Sequence, residues 1–187
     1  CIEVSISASH FGNNNAKKYG GSLFILGFAN ASIKNCIFTL CQARTSGGSI
    51  YMKNGHNLEV KNCSFESNTG TYGSGLYILL VEHSFINNCS YFNNKGKEYG
   101  SGIHVKKGEH LELVHSVFRR NTCKFGAGLH ADNIKFIVVY NSFFIDNYGQ
   151  MSGSGLHIDK SRHCKLILVH LIGNKVLNNG AGGYIIR

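Results

Sequence analysis

The chain has 187 residues, 43% of them hydrophobic, with 23 glycines and neither proline nor tryptophan. That length supports a single domain with a core, the apolar fraction excludes a disordered chain, and the lack of proline suits an uninterrupted sheet, because proline removes a ladder donor. The formal charge of +9 is scattered over Lys17, Lys18, Arg44, Lys95, Lys97, Arg119, Arg120, Lys124, Lys160 and Arg162 among others, which reads as a solvated basic surface rather than a nucleic-acid-binding block. No apolar run reaches the length of a membrane span, and none reads as a signal peptide. The sequence starts at Cys1 and stops at Arg187 inside a repeat, so the whole of 1–187 is expected to be one segment of a longer polypeptide.

Along the chain, one pattern returns seven times: an aromatic, two residues, usually Asn, a loop, a Gly/Ser/Ala cluster and a short apolar strand. The aromatic slot is Phe11, Phe38, Phe65, Tyr91, Phe118 and Phe144, then Leu171, in steps of 26 or 27 residues. A second slot follows the glycines at Leu23, Ile50, Leu76, Ile103, Leu129, Leu156 and finally Gly183. From second slot to next aromatic is always 15 residues, whereas aromatic to second slot is 11 or 12. The constant arc implies fixed register, and the variable arc implies a surface turn. Leucine-rich and helical repeats do not fit, because the spacing shows short alternation and no 3.6-residue period. Leu23-Phe24-Ile25, Leu58-Glu59-Val60 and Cys63-Ser64-Phe65 typify three short strands per turn. The expectation is an all-β, parallel β-helix of about seven coils of 26–27 residues.

Stacked coils turn each slot into a column. The aromatics Phe11 to Phe144 are expected to stack inside, burying large apolar area. Asn14, Asn68, Asn94, Asn121, Asn147 and Asn174 are expected to stack at a turn, since Asn tolerates left-handed backbone and amides bond along the axis. Cys41 interrupts that column once. Phe65-Glu66-Ser67-Asn68 with Gly73-Ser74-Gly75-Leu76, and Phe118-Arg119-Arg120-Asn121 with Gly126-Ala127-Gly128-Leu129, resemble the polymorphic outer-membrane protein repeat, which is also found in large surface proteins of ciliates and other protists. The resemblance covers essentially the whole chain. It implies a right-handed, pectin-lyase-like β-helix in a surface, adhesive or structural protein.

Cys36, Cys63 and Cys89 share one slot, continued by Ser116 and Ser142, and are expected to be buried small hydrophobes rather than disulfides. Cys1, Cys41, Cys123 and Cys164 are left to pair elsewhere. Asn30-Ala31-Ser32, Asn62-Cys63-Ser64 and Asn88-Cys89-Ser90 match the glycosylation acceptor pattern, Asn30 being the best candidate. Polysaccharide-cleaving β-helices need close carboxylates, and the ten acidic residues are widely spread, so no catalytic residue, metal or cofactor is assigned. Asp146, one coil from Arg120, is expected to form a cross-strand ion pair.

The residue after each second slot is Phe24, Tyr51, Tyr77, His104, His130, His157 or Tyr184, and alternation points it outward. Tyr51, Tyr77, His104, His130, His157 and Tyr184 therefore form a candidate surface stripe for stacking on sugars or gripping a protein. The alternatives are plain ladder stacking or cover by a neighbouring segment. His130-Ala131-Asp132 and His157-Ile158-Asp159 within it offer a divalent cation two imidazoles and two carboxylates. The function expected is a structural or adhesive scaffold segment of a large extracellular or cell-surface protein. Its expected partners are further coils of the chain or other proteins on the open ends, and glycans; nucleic acid and direct membrane insertion are not expected. The rival readings are a carbohydrate-binding or polysaccharide-cleaving β-helix with an incomplete catalytic set, and a subunit of an intracellular assembly such as a cilium.

Overall fold

The computed structural model of the protein describes residues 2–186. Every strand pairing is parallel, one coil upon the next, in one sheet of 14 strands and a second of seven. A representative coil runs from Leu76–Asn87 through Ser90–Phe92 and Lys95–Tyr99 into Ile103–Val114. Its register on the following coil is Leu76 on Ile103 and Tyr91 on Phe118, matching the two sequence slots.

The coil has three strands, but the divisions differ from those expected. The first two expected strands are one 12-residue strand, bent in the middle by a residue in left-handed backbone, such as Leu80 or Lys107, both at φ 56°. The third strand occupies the arc expected to be a surface turn. That arc builds the seven-stranded sheet, and its variable length is taken up as register shifts between Gly96 and Tyr99 and between Cys123 and Phe125. One extra residue in a strand can be left unpaired as a bulge without moving the strands on either side.

The aromatic column is the core. Phe38, Phe65, Tyr91, Phe118 and Phe144 are fully buried, and successive rings lie 4.7–4.9 Å apart and within 8° of parallel. Each buried ring contributes roughly 1.5–3 kcal/mol of apolar transfer. Tyr91 alone brings a hydroxyl into this column, and that hydroxyl has no hydrogen-bond partner. At the far end Leu171 takes the slot and is 39% exposed.

The asparagine column is a hydrogen-bond ladder. Asn121 Nδ2 donates to the Tyr91 carbonyl (2.9 Å) and to Asn147 Oδ1 (3.0 Å), while its own Oδ1 accepts the Asn94 backbone N–H (3.1 Å) and side chain (3.0 Å). These asparagines are not the left-handed residues of the turn, contrary to expectation. That conformation falls on the residue before, as in Asn93 (φ 54°) and Arg120 (φ 54°), which frees the Asn side chain to point inward. Cys41 interrupts the ladder only in part, since its N–H still donates to Asn68 Oδ1 at 2.9 Å. Glycine is required where the coil re-enters the long strand: Gly100 is left-handed (φ 54°), and a Cβ on Gly102 would collide with the Gly128 carbonyl.

Two substitutions measure these columns by chemical denaturation. Asn121→Ala leaves several buried groups unpaired and is expected to cost about 3 kcal/mol, against less than about 1 kcal/mol for Asn57→Ala on the exposed Asn57–Asn30 rung. Tyr91→Phe removes the orphan hydroxyl while keeping the ring, and is expected to raise stability by about 1 kcal/mol or more.

Candidate binding cleft

In the long strand Ile103 and Val105 face the core, and His104 between them faces out of the coil, as alternation requires. The expected exposure of this stripe is not found. Tyr51, Tyr77, His104, His130 and His157 are all less than a tenth exposed; only Phe24 at one end is exposed and Tyr184 at the other half-buried. The cover comes from the same coils. Tyr19, Tyr72, Tyr99 and Phe125 each stand immediately before a left-handed glycine (Gly20, Gly73, Gly100, Gly126), and the turn lays the ring over the outer face of the strand. Tyr19 lies 4.8 Å from Tyr51, Tyr99 4.7 Å from His130, and Phe125 5.8 Å from His157. A second aromatic layer is thus built outside the coil. The aromatic-Gly step at repeat spacing was the signal for it, and the slot-based reading passed over it.

Stacking also consumes the ring faces. Tyr51 lies on Tyr77 at 5.1 Å and 8°, and His104 and His130 meet edge to face at 4.8 Å. A sugar cannot lie flat on rings whose faces are already covered, so the stacking mode expected of Tyr51 and Tyr77 is closed. What remains open is a cleft of ≈ 510 Å³ between the tyrosine cover and the next outward column of Lys53, Leu79, Lys106, Asp132 and Asp159.

The cleft is polar and under-satisfied. Neither ring nitrogen of His104 has a hydrogen-bond partner, nor does Nδ1 of His130, although both side chains are buried. His157 differs, with Nδ1 3.0 Å from Ser152 Oγ. Burial, aided by the Lys106 charge, pushes His104 down to about 3, against a smaller opposing pull from Asp132. Burial and the neighbouring His104 and His157 likewise hold His130 well below the ordinary range. Burial, then the phenols of Tyr51 and Tyr72, raises Tyr77. At neutral pH the cleft therefore holds neutral imidazoles and protonated phenols, each able to donate and accept. The two-imidazole, two-carboxylate cation site is not assembled. Asp132 is bound by Lys106 at 3.0 Å and Asp159 by Lys160 at 3.4 Å, and among the described residues no three His, Cys, Asp or Glu side chains are placed to share a metal.

The other sequence candidates lie apart from this cleft. The outer face of the same long strand further along carries Glu59, Phe85 and Glu112 in one column, with Lys34 2.7 Å from Glu59. Arg120 and Asp146 are exposed corner residues, both left-handed, and the ion pair expected between them is not formed. Asn30 is exposed within a strand, its Nδ2 donating to Glu3 at 2.8 Å and its Oδ1 accepting from Asn57 at 2.8 Å. Cys36, Cys63 and Cys89 are buried in one column, each thiol donating to the carbonyl two residues before it. Burial raises the Cys36 thiol, and the adjoining Cys63 together with burial raises Cys89, whereas the hydrogen bond with Cys89 brings Cys63 down to about 7. Cys41 and Cys123 are buried too, which removes them from any pairing elsewhere; Cys164 is half-buried, and Cys1 lies outside the described residues.

Stacked parallel coils with interior aromatic and amide columns define a β-solenoid. The chain belongs to the right-handed β-helix family: the family model described as the right handed beta helix region matches residues 4–187. No curated protein and no solved structure matched the chain.

The buried imidazole makes stability depend on pH. His104 stays neutral in the fold down to about 3, while the unfolded chain takes up a proton near 6.5. Its contribution is therefore intact above pH 6.5 and lost as pH falls from there toward 3, by up to about 1.4 kcal/mol per pH unit. Thermal melts of the parent are expected to drop over that window, and His104→Phe is expected to flatten part of the drop while changing the neutral-pH midpoint little.

Proposed function

We propose that the chain is a rigid structural or adhesive scaffold segment of a larger secreted or cell-surface protein. The observation that supports this reading is that Phe38, Phe65, Tyr91, Phe118 and Phe144 stack at one pitch inside parallel coils, so the chain is a stiff body that repeats its side chains at fixed spacing. The repeat resemblance carried by Phe65-Glu66-Ser67-Asn68 and Phe118-Arg119-Arg120-Asn121 adds the surface setting.

The reading is non-enzymatic. The acidic side chains serve as cross-coil ties, as in Lys34–Glu59 (2.7 Å), Lys106–Asp132 (3.0 Å) and Lys124–Glu98 (3.5 Å), rather than as a convergent acid and base. The mechanism is mechanical: seven coils at ~4.8 Å give a rod segment of roughly 34 Å that holds side chains at fixed pitch.

An antibody raised against the chain tests the location. Labelling of intact, unpermeabilised producing cells, lost on brief protease treatment, is the expected result. Labelling that requires permeabilisation would reassign the chain to an intracellular assembly.

A further inference from the structure

We infer that the outer wall of the seven-stranded sheet is a docking surface for an anionic phospholipid membrane, with the rod lying along the bilayer surface. The fold sorts charges that look scattered in the sequence. The strands of this sheet hold one carboxylate, Glu98, and Lys124 binds it at 3.5 Å. The other carboxylates lie on the 14-stranded sheet, apart from Asp146 at a corner. Lys17, Arg44, Lys95 and Lys97 are exposed on the basic wall, and among the described residues none of them forms an ion pair. Together with Asn15 and Thr69 they line one groove of ≈ 540 Å³ across neighbouring coils. Cations gathered without carboxylates raise a positive potential that draws an anionic partner.

The same wall carries exposed apolar groups, and these narrow the partner. Tyr148 stands in one column with Lys95 and Thr122, beside Lys175, and is 38% exposed; Met151 on the same strand is also 38% exposed. Cations flanked by a tyrosine and a thioether suit the headgroup layer of an anionic bilayer. There the ammonium and guanidinium groups meet phosphate and carboxylate, and the ring lies at the level of the headgroups. A nucleic acid or another soluble polyanion satisfies the cations but leaves Tyr148 and Met151 uncovered. A second copy of the chain does not fit. Copies of net charge +9 repel, and carboxylates on the other sheet are already taken by Lys34, Lys106 and Lys135. The wall is also stiff: seven parallel strands at ~4.8 Å span roughly 29 Å along the axis, so its cations meet a flat surface together.

Co-sedimentation of the purified chain with vesicles tests the assignment. Vesicles of phosphatidylcholine and phosphatidylserine, three to one, are expected to carry the chain down at low salt, and vesicles of phosphatidylcholine alone are not. High salt is expected to release it, because screening shortens the reach of each cation. Arg44→Gln combined with Lys97→Gln is expected to weaken binding about 25-fold, at about fivefold for each cation. Lys107→Gln combined with Lys165→Gln removes the same two charges from exposed positions on the other sheet and is expected to leave binding unchanged. Tyr148→Ser is expected to weaken binding to vesicles but not to dextran sulfate. Failure to sediment with the anionic vesicles overturns the proposal, as does equal loss in the two double variants. Equal loss of vesicle and dextran sulfate binding in Tyr148→Ser, or no loss of either, overturns it in favour of a soluble polyanion.

Discussion

Like stacks on like in this protein, at one coil pitch, and that single constraint governs core, turns and surface. A ring on a ring at 4.7 Å is possible only if the next coil places the same residue type directly above. The same holds for amide on amide in the asparagine ladder, where each side chain satisfies the backbone of one neighbour and the side chain of the next. A parallel sheet rewards this arrangement, because a one-residue slip would turn every inward column outward. The 15-residue arc never varies because it carries the bent strand and the aromatic slot together.

The same constraint explains how polar groups come to be buried outside the core. Once Tyr99 is laid back over the long strand by the turn at Gly100, the outward column beneath it is no longer a surface. Its members must stack as an interior column does, yet they are histidines and tyrosines. The result is an interior whose columns are almost fully satisfied, standing beside an outer layer that is not. The exceptions among the buried groups are the Tyr91 hydroxyl, for which the phenyl column offers no acceptor, and the hydroxyls of Ser49 and Ser84, which also lack a partner.

The coil count, the aromatic and asparagine columns and the buried Cys36, Cys63 and Cys89 were legible in the sequence, because each recurs at one fixed position per repeat. The division of the coil was less so: Leu80 and Lys107 carry no turn signature, and their left-handed backbone is imposed by the stack rather than by residue preference. The candidate site was half legible. Alternation correctly sent Tyr51, Tyr77 and His104 out of the coil, but exposure was inferred from direction alone. The cover depends on Tyr19, Tyr72 and Tyr99 folding back across a left-handed glycine, a contact between two arcs of the coil that strand periodicity does not encode.

The bulged strand between the asparagine and the glycines has a consequence for how such a chain can evolve. Residues gained or lost there are absorbed locally, as between Gly96 and Tyr99, while the columns on either side keep their alignment. Insertions can accumulate on that one wall, beside the tyrosine cover, without a matching change in any other coil. Duplication of a whole coil lengthens the rod and leaves its cross-section alone. Length and surface decoration are thus separately heritable, one set by how many repeats the gene carries and the other by what grows from a single side.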